Sequence, residues 1–222
     1  MDLYEASKLR HSVRSYKLMS IDEKTKAKLS AEVSKCNAES GLNIQLVTDE
    51  PEAFSGFMAH YGKFKNVTNY FAMVGKNDKD LQEKLGYYGE KLVLISQSLG
   101  LSTCWVALTY SKRKSKVKIE KGEKLVCVIA LGYGETDGIP HKNKPIENFY
   151  TFAVDDPEWM RKGVESAMLA PTAINQQKFK FERNGNMVKA VALRGFYTRL
   201  DLGIVKFHFE LGAGKDNFIW QN

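Results

Sequence analysis

The run DLQEKLGYYGEKLVLISQSLGLSTCWVAL, residues 80–108, decides the class of fold. Leu81, Leu85, Tyr88, Leu92, Ile95 and Leu99 recur at spacings of three and four, the signature of a helix with one apolar face, and Gly100 supplies its stop. LSTCWVAL follows at once, short and apolar. A long helix followed by apolar runs too short to be helices predicts a core that mixes both element types.

The same mixture extends outward in both directions. Upstream, IDEKTKAKLSAEVSKC (21–36) has an acidic first turn, later lysines and no Gly or Pro, and reads as a helix. GLNIQLVTD follows, with Leu42, Ile44 and Leu46 alternating as in a strand with one buried face, and YFAMVG (70–75) is a second strand. Downstream, KLVCVIALGYG (124–134) is apolar enough to be buried on both faces. A polar, Pro-containing stretch from TDGIPHKNKP to VDDPEW reads as a linker or as an arm over the surface.

Then a shorter set of elements appears. PEWMRKGVESAMLA (157–170) reads as a helix, KFKFERNG as a strand and LDLGIVKFHFELGAG (200–214) as a helix. The last can be laid over YGEKLVLISQSLGL so that Val93 meets Val205 and Leu99-Gly100 meets Leu211-Gly212. This is either an internal duplication or the likeness any two amphipathic helices share. The reading is an α+β protein with two halves, 1–150 and 151–222, packed as one unit.

Composition narrows the function. With 222 residues, 43% hydrophobic and 11% aromatic, the chain can bury a full core. Its net charge of +7 suits an anionic partner: a phosphate-bearing cofactor, a nucleic acid or a membrane surface. The basic run YSKRKSKVKIEKGEK (110–124) has no interleaved aromatics and reads as a solvated connection, so no nucleic-acid partner is expected. No apolar run approaches the roughly 20 residues of a membrane helix. Cys36, Cys104 and Cys127 are odd in number and lack a CxxC pattern, so neither zinc nor disulfides are expected. MDLYEASKLRHS has no apolar h-region, which makes the cytoplasm the default compartment.

The sharpest local feature is LRHSVRSY (9–16), with Arg10, His11, Ser12, Arg14 and Ser15 crowded together. Arginines can grip a phosphate through paired hydrogen bonds, and Ser12 can add a neutral one. The plain alternative is a solvated basic turn between two helices. Cys104, isolated in an apolar stretch, reads as buried and inert, and His208, among aromatics, as a packed core or partly exposed side chain. Asp201 reads as a helix N-terminal cap or dipole partner, while Tyr87-Tyr88 and Phe54, Phe57, Tyr61 and Phe64 read as core or lid. No Ser-His-Asp or paired-carboxylate constellation is visible.

Four segments together resemble one family. RHSVRSY resembles the R-x-S-x-R signature of the nitroreductases, FMN-dependent NAD(P)H oxidoreductases. GEKLVLISQSLGLSTCWVALTY resembles the family's long core helix entering a GLGTCW-like turn, with Ala107 where glycine is common, and VIALGYG resembles its closing strand. LAPTAINQQKFKF (169–181) resembles A-P-S-x-x-N-x-Q-P-W, with Thr172 for serine and Lys178-Phe179 for Pro-Trp. The likeness is poorest between about 47 and 69 and after 183.

The resemblance implies a mixed, mainly antiparallel sheet flanked by helices. It implies that Arg10 and Ser12 bind the FMN phosphate, that His11 contacts the phosphate or ribityl chain, and that Arg14 lies near the N1/O2 edge of the flavin. Lys142 and Lys144 stand where the family adds cations to the phosphate, although a solvated pair is an equal reading. Cys104 and Trp105 stand where backbone N–H groups approach N5. Pro171, Thr172 and Asn175 would reach the flavin, with Gln177 supporting Asn175 or bracing the loop. The A-P-S-like segment comes late here, whereas family members carry it soon after R-x-S-x-R, and their homodimers draw the two segments from different subunits. The resemblance therefore implies a monomeric pseudo-dimer, or weak homodimer, with one flavin site per chain. NADH or NADPH would reduce the flavin, a nitroaromatic, quinone or similar small molecule would reoxidise it, and no catalytic side chain or metal is expected. The alternative is a flavin-binding or redox-sensing protein without turnover.

Overall fold

Helical and pleated periods alternate along the backbone much as the sequence predicts. In the computed structural model, which describes residues 1–221, the order is α1 (Leu3–Leu9), α2 (Glu23–Ser40), β1 (Gln45–Val47), α3 (Phe57–Tyr61), β2 (Asn69–Lys76), α4 (Leu81–Ser98), β3 (Ser102–Val106), β4 (Glu123–Gly132), α5 (Glu158–Ala167), β5 (Phe179–Asn184), β6 (Met187–Ala192), α6 (Thr198–Ala213) and β7 (Ile219–Trp220). The fold is mixed α+β with mainly antiparallel strands, as expected. Two compact units divide the chain. One contains Leu9–Leu81 and Leu92–Pro140; the other contains Met1–Lys8, Gln82–Lys91 and the chain from His141 on.

The first unit is built on a four-stranded antiparallel sheet ordered β1-β2-β4-β3. Both central strands are continuous apolar runs: Tyr70–Val74 and Leu125–Leu131 are buried residue by residue, so neither face meets water. Helix α2 starts where the Asp22 carboxylate accepts the Thr25 N–H at 2.9 Å. It runs four residues past the predicted Cys36, to Ser40, and stops at Gly41, whose φ of 71° is left-handed. Phe54, Phe64, Tyr70 and Tyr110 form an aromatic cluster beneath the sheet, with Phe54 and Phe64 edge to face at 5.3 Å. Phe57 and Tyr61 of α3, by contrast, are exposed, at 83% and 75%. Of the aromatic run read as core or lid, Phe54 and Phe64 are core and Phe57 and Tyr61 are not.

The second unit pairs β5 and β6 as an antiparallel hairpin, with β7 parallel to β6. The polar stretch before α5 is an arm on this unit from His141 onward, with no linker character there. Phe149 is buried and stacked on Phe179 at 4.6 Å, and Asp156 accepts from Tyr150 Oη, Ala153 N and Arg183 Nε. Helix α6 is buried nearly all round, as its apolar sequence requires. His208 lies in this core, 0% exposed, with Nε2 2.9 Å from Glu90 Oε1, as the packed-core reading predicts.

Glycines set the helix packing of the second unit. A Cβ on Gly163 would stand 2.6 Å from the Phe209 ring, so glycine there admits the ring against α5. A Cβ on Gly86 would strike the Leu200 carbonyl oxygen and Ile204 nitrogen, and one on Gly203 would strike the Glu83 carbonyl oxygen and Tyr87 nitrogen. The first turns of α4 and α6 therefore cross backbone to backbone, through reciprocal contacts.

Candidate functional site

In the first unit the chain leaves α1 at Leu9 and runs extended to Tyr16, because this segment borrows hydrogen bonds from three neighbours. Ser12 pairs in parallel with Thr103 on the outer edge of β3, with Val13 N donating to Thr103 O at 3.0 Å. Lys65 N donates to Arg14 O, Tyr16 N to Lys65 O and Lys17 N to Tyr133 O. Val13 and Tyr16 are the buried anchors, and Tyr16 Oη closes the turn on Val13 O at 2.7 Å. Gly138, at a left-handed φ of 78°, lies so close that a Cβ would be 2.7 Å from that of His11.

Along this segment Arg10, Val13 and Tyr16 are buried while Ser12 and Arg14 are exposed, so burial recurs every three residues and does not follow the two-residue alternation of a strand. Arg10, Ser12 and Arg14 nevertheless all act on Cys104. Burial pushes that thiol up, against the opposing effects of the Arg14 charge, a Ser12 hydroxyl hydrogen bond and the Arg10 charge. The net upward direction agrees with an inert thiol and gives no thiolate nucleophile. Arg10 is 3% exposed; His11 is half-buried; Ser12 and Arg14 are exposed, with the Arg14 guanidinium 5.9 Å over the Phe64 ring. Cys104 and Trp105 are successive residues of β3 and project to opposite faces.

The second unit carries the other set on the loop between α5 and β5. Ile174, Asn175 and Gln177 have φ values of 49°, 54° and 46°, left-handed for residues with side chains. Such backbone persists only where the surroundings over-determine it, at about 1–3 kcal/mol per residue. Here hydrogen bonds do so. Thr172 Oγ1 accepts the Gln177 N–H at 3.0 Å, a role serine would fill equally, which explains the exchange at this position. Gln177 Nε2 donates to Lys142 O and to Asn175 Oδ1, both at 2.8 Å, and its Oε1 accepts the Lys144 N–H at 3.0 Å. Gln177 thus braces the loop.

Asn175 Nδ2 donates to Lys142 O at 3.0 Å, which leaves the amide one further proton to give. The Lys144 ammonium, read from the sequence as a phosphate partner or a solvated cation, donates to Gln176 O at 2.7 Å. The Lys142 side chain is exposed, and Pro171 and Thr172 are half-buried.

Sequence reasoning missed one member of this arrangement. Asp201 lies in the first turn of α6, where the dipole-partner reading puts it, but caps no helix end, and its contacts go elsewhere: its Oδ1 accepts Ala173 N–H at 3.0 Å and its Oδ2 accepts from Gln176 Nε2 at 2.8 Å. Burial pushes its carboxyl up to about 6, with the two hydrogen bonds pulling the other way. No local spacing announces a pair 25 and 28 residues apart. Among the described residues no group of three or more His, Cys, Asp or Glu side chains is placed to hold a metal, and no helix is long and apolar enough to cross a membrane.

Comparison with known proteins gives this geometry a context. A family model described as "Putative TM nitroreductase" matches residues 2–213. Among solved structures, one from Thermotoga maritima described as "a putative nitroreductase" is 25% identical with a TM-score of 0.69, over 96% of this chain and 84% of its own. A nitroreductase from Exiguobacterium sibiricum in complex with FMN shares the fold at 16% identity and a TM-score of 0.56, over 69% of this chain and 98% of its own. A Parabacteroides distasonis structure described as an NADH dehydrogenase/NAD(P)H nitroreductase does so at 17% and 0.52, over 69% and 99%. No curated protein matches the chain.

Proposed function

Because this chain belongs to the nitroreductase family, we propose that it is an FMN-dependent oxidoreductase carrying electrons from NADH or NADPH to a nitroaromatic, quinone or similar small acceptor. The observation that carries this reading is the Arg10–Tyr16 segment. It pairs with β3 at Ser12 and brings Arg10, Ser12 and Arg14 to act together on Cys104, a donor set that fits a phosphate monoester and an electron-rich ring edge. A relative with this fold is an FMN complex, which supports the choice of flavin.

When bound, FMN supplies the two-electron step between donor and acceptor. This chain supplies position and charge. Arg10 and Ser12 would hold the phosphate, and His11 the phosphate or ribityl chain. Arg14 would serve the N1/O2 edge, where its charge would favour the reduced, negatively charged form of the ring, and backbone at Cys104 and Trp105 would serve N5. Pro171, Thr172 and Asn175 would supply further flavin contacts, with Lys142, Lys144 and Gln177 as their supports.

The two-half organisation, 1–150 and 151–222, belongs to the same proposal, as a pseudo-dimer that is monomeric or weakly dimeric, and the reciprocal approach of Gly86 and Gly203 supports it. So does a cytoplasmic location, since none of the three buried cysteines is in a disulfide.

The test is to incubate the purified chain with FMN, remove the excess, and read the FMN-to-chain ratio from the visible spectrum before adding NAD(P)H and a quinone. About one FMN per chain and steady NAD(P)H oxidation are expected. No retained flavin refutes the reading, and retained flavin without turnover makes this a flavin-binding protein.

A further inference from the structure

The loop after α5 adopts a conformation that its own residues disfavour. It contains no glycine between Ala170 and Phe179, yet three of its residues are left-handed, and one of them, Ile174, is β-branched and 87% exposed. A β-branched side chain held out to solvent on strained backbone does nothing for the core, so the surroundings impose the conformation for another reason.

Asp201 grips this turn at both ends. One carboxylate oxygen takes the Ala173 N–H, just before Ile174, and the other takes the side chain of Gln176, between Asn175 and Gln177. The same Gln176 nitrogen also reaches Phe196 O at 2.6 Å, and its Oε1 faces Gly195 so closely that a Cβ there would be 2.5 Å away. Glycine at 195 is therefore part of the grip. The carboxylate is 3% exposed and lies against uncharged donors. Its neighbouring segments carry Lys178, Arg194 and Arg199, and Glu83, which is paired with Lys206. Burial pushes this carboxyl up to about 6, and both of its oxygens are committed to the turn.

We infer that Asp201 is a positioning residue for flavin: through Ala173 and Gln176 it fixes the left-handed Ile174–Gln177 turn in the form that receives the ring. This rests on the FMN reading proposed above. The carboxylate touches no flavin itself; it acts through Asn175 and its neighbours. Two consequences separate it from a merely structural group. Its loss weakens the ring contact, so the effect is the same for FMN and for riboflavin, which lacks the phosphate. The conservative Asp201→Asn retains Oδ1 for Ala173 but faces Gln176 with an NH2, and flipping Gln176 to meet it would cost the bond to Phe196 O, so it keeps one of the two grips and rescues in part.

The experiment titrates FMN and, separately, riboflavin into the full apo chain, reading flavin fluorescence for affinity and the visible absorption band for ring environment. Asp201→Ala is expected to bind both flavins about tenfold more weakly, the size of one to two lost charge-assisted hydrogen bonds, with a band closer to that of free flavin. Asp201→Asn is expected to stay within about threefold of wild type. Arg10→Ala, in contrast, should weaken FMN and leave riboflavin unchanged. Should Asp201→Ala fail to fold, Gln176→Met removes one of the two grips and carries the decision, with the same direction for both flavins. The assignment is overturned if a folded Asp201→Ala or Gln176→Met binds FMN within twofold of wild type with an unchanged band, or loses FMN but not riboflavin. A wild-type chain that binds neither flavin overturns the FMN reading and this assignment together, an outcome distinct from the other two.

Discussion

Replacing Gly203 with alanine tests the crossing of α4 and α6. In an isolated helix interior the change gains about 1 kcal/mol, because alanine loses less backbone freedom than glycine. Here the added methyl would overlap the Glu83 carbonyl oxygen and crowd the Tyr87 nitrogen, backbone atoms that no rotamer change can clear. The helices must separate, and overpacking of this kind costs about 1–3 kcal/mol. With backbone on both sides the upper figure applies, so the net loss is about 2 kcal/mol. Gly86→Ala meets the mirror-image obstacle at Leu200 and Ile204 and should lose a similar amount. Once one methyl has parted the helices the second finds room, so the double variant should lose about 2–3 kcal/mol, well short of the sum. Urea unfolding followed by far-ultraviolet circular dichroism measures all three, with an unchanged slope showing that the unfolded state is not involved. A Gly203→Ala chain more stable than wild type by about 1 kcal/mol, or a fully additive double variant, would refute the backbone crossing.

Three other outcomes follow from the same structure. Asp201 has a folded pKa of about 6 against an ordinary value of 3.8, so the folded state holds the proton more tightly across that window. Its stabilising contribution is fully present below pH 3.8 and lost as pH rises through 6, a swing of about 2 kcal/mol between pH 4 and 7 that Asp201→Asn should abolish in urea midpoints compared at those two values. Cys36, Cys104 and Cys127 are all buried, and the Cys104 and Cys127 thiols are pushed up by burial, so an aromatic disulfide reagent at pH 8 should find essentially no reactive thiol until denaturant is added. Arg14→Ala should weaken FMN about tenfold and make the midpoint potential of the bound flavin more negative, with Arg14→Lys between the two; an unchanged potential would remove Arg14 from the ring edge.

The parts of the fold that were legible are those whose pattern is local. The three- and four-residue spacing of Leu81 to Leu99 became α4, and the unbroken apolar run ending at Gly132 became a strand buried on both faces. The end of α2 was read short because CNAES has no apolar period, and only the left-handed cap at Gly41 marks the true stop. Helix α1, strand β6 and the two-residue β7 were not read: α1 is short, and β6 and β7 are defined by partners outside their own sequence. The candidate site divides the same way. Arg10, Ser12 and Arg14 stand out in the sequence as two cations and a hydroxyl crowded into five residues, while the contacts of Asp201 do not, because its partners lie 25 and 28 residues away.

The two residue sets are also held by different physics. On the proposed reading Arg10 and Arg14 would act through charge on a segment pinned by backbone hydrogen bonds, whereas the Thr172–Gln177 loop would act through a shape pinned by neutral amides and one buried carboxylate. The attraction of a cationic segment for a free, doubly charged FMN phosphate is screened by salt, with a Debye length that shrinks from about 10 Å at 0.1 M to about 3 Å at 1 M. A shape held by buried hydrogen bonds is not. FMN, with its phosphate, should therefore lose affinity as salt rises, and riboflavin should not. Arg10→Ala should flatten the FMN salt dependence, while Asp201→Ala should shift the whole curve and keep its slope. Equal slopes for FMN and riboflavin in the wild-type chain would mean that the arginines do not hold the phosphate, whatever the loop does for the ring.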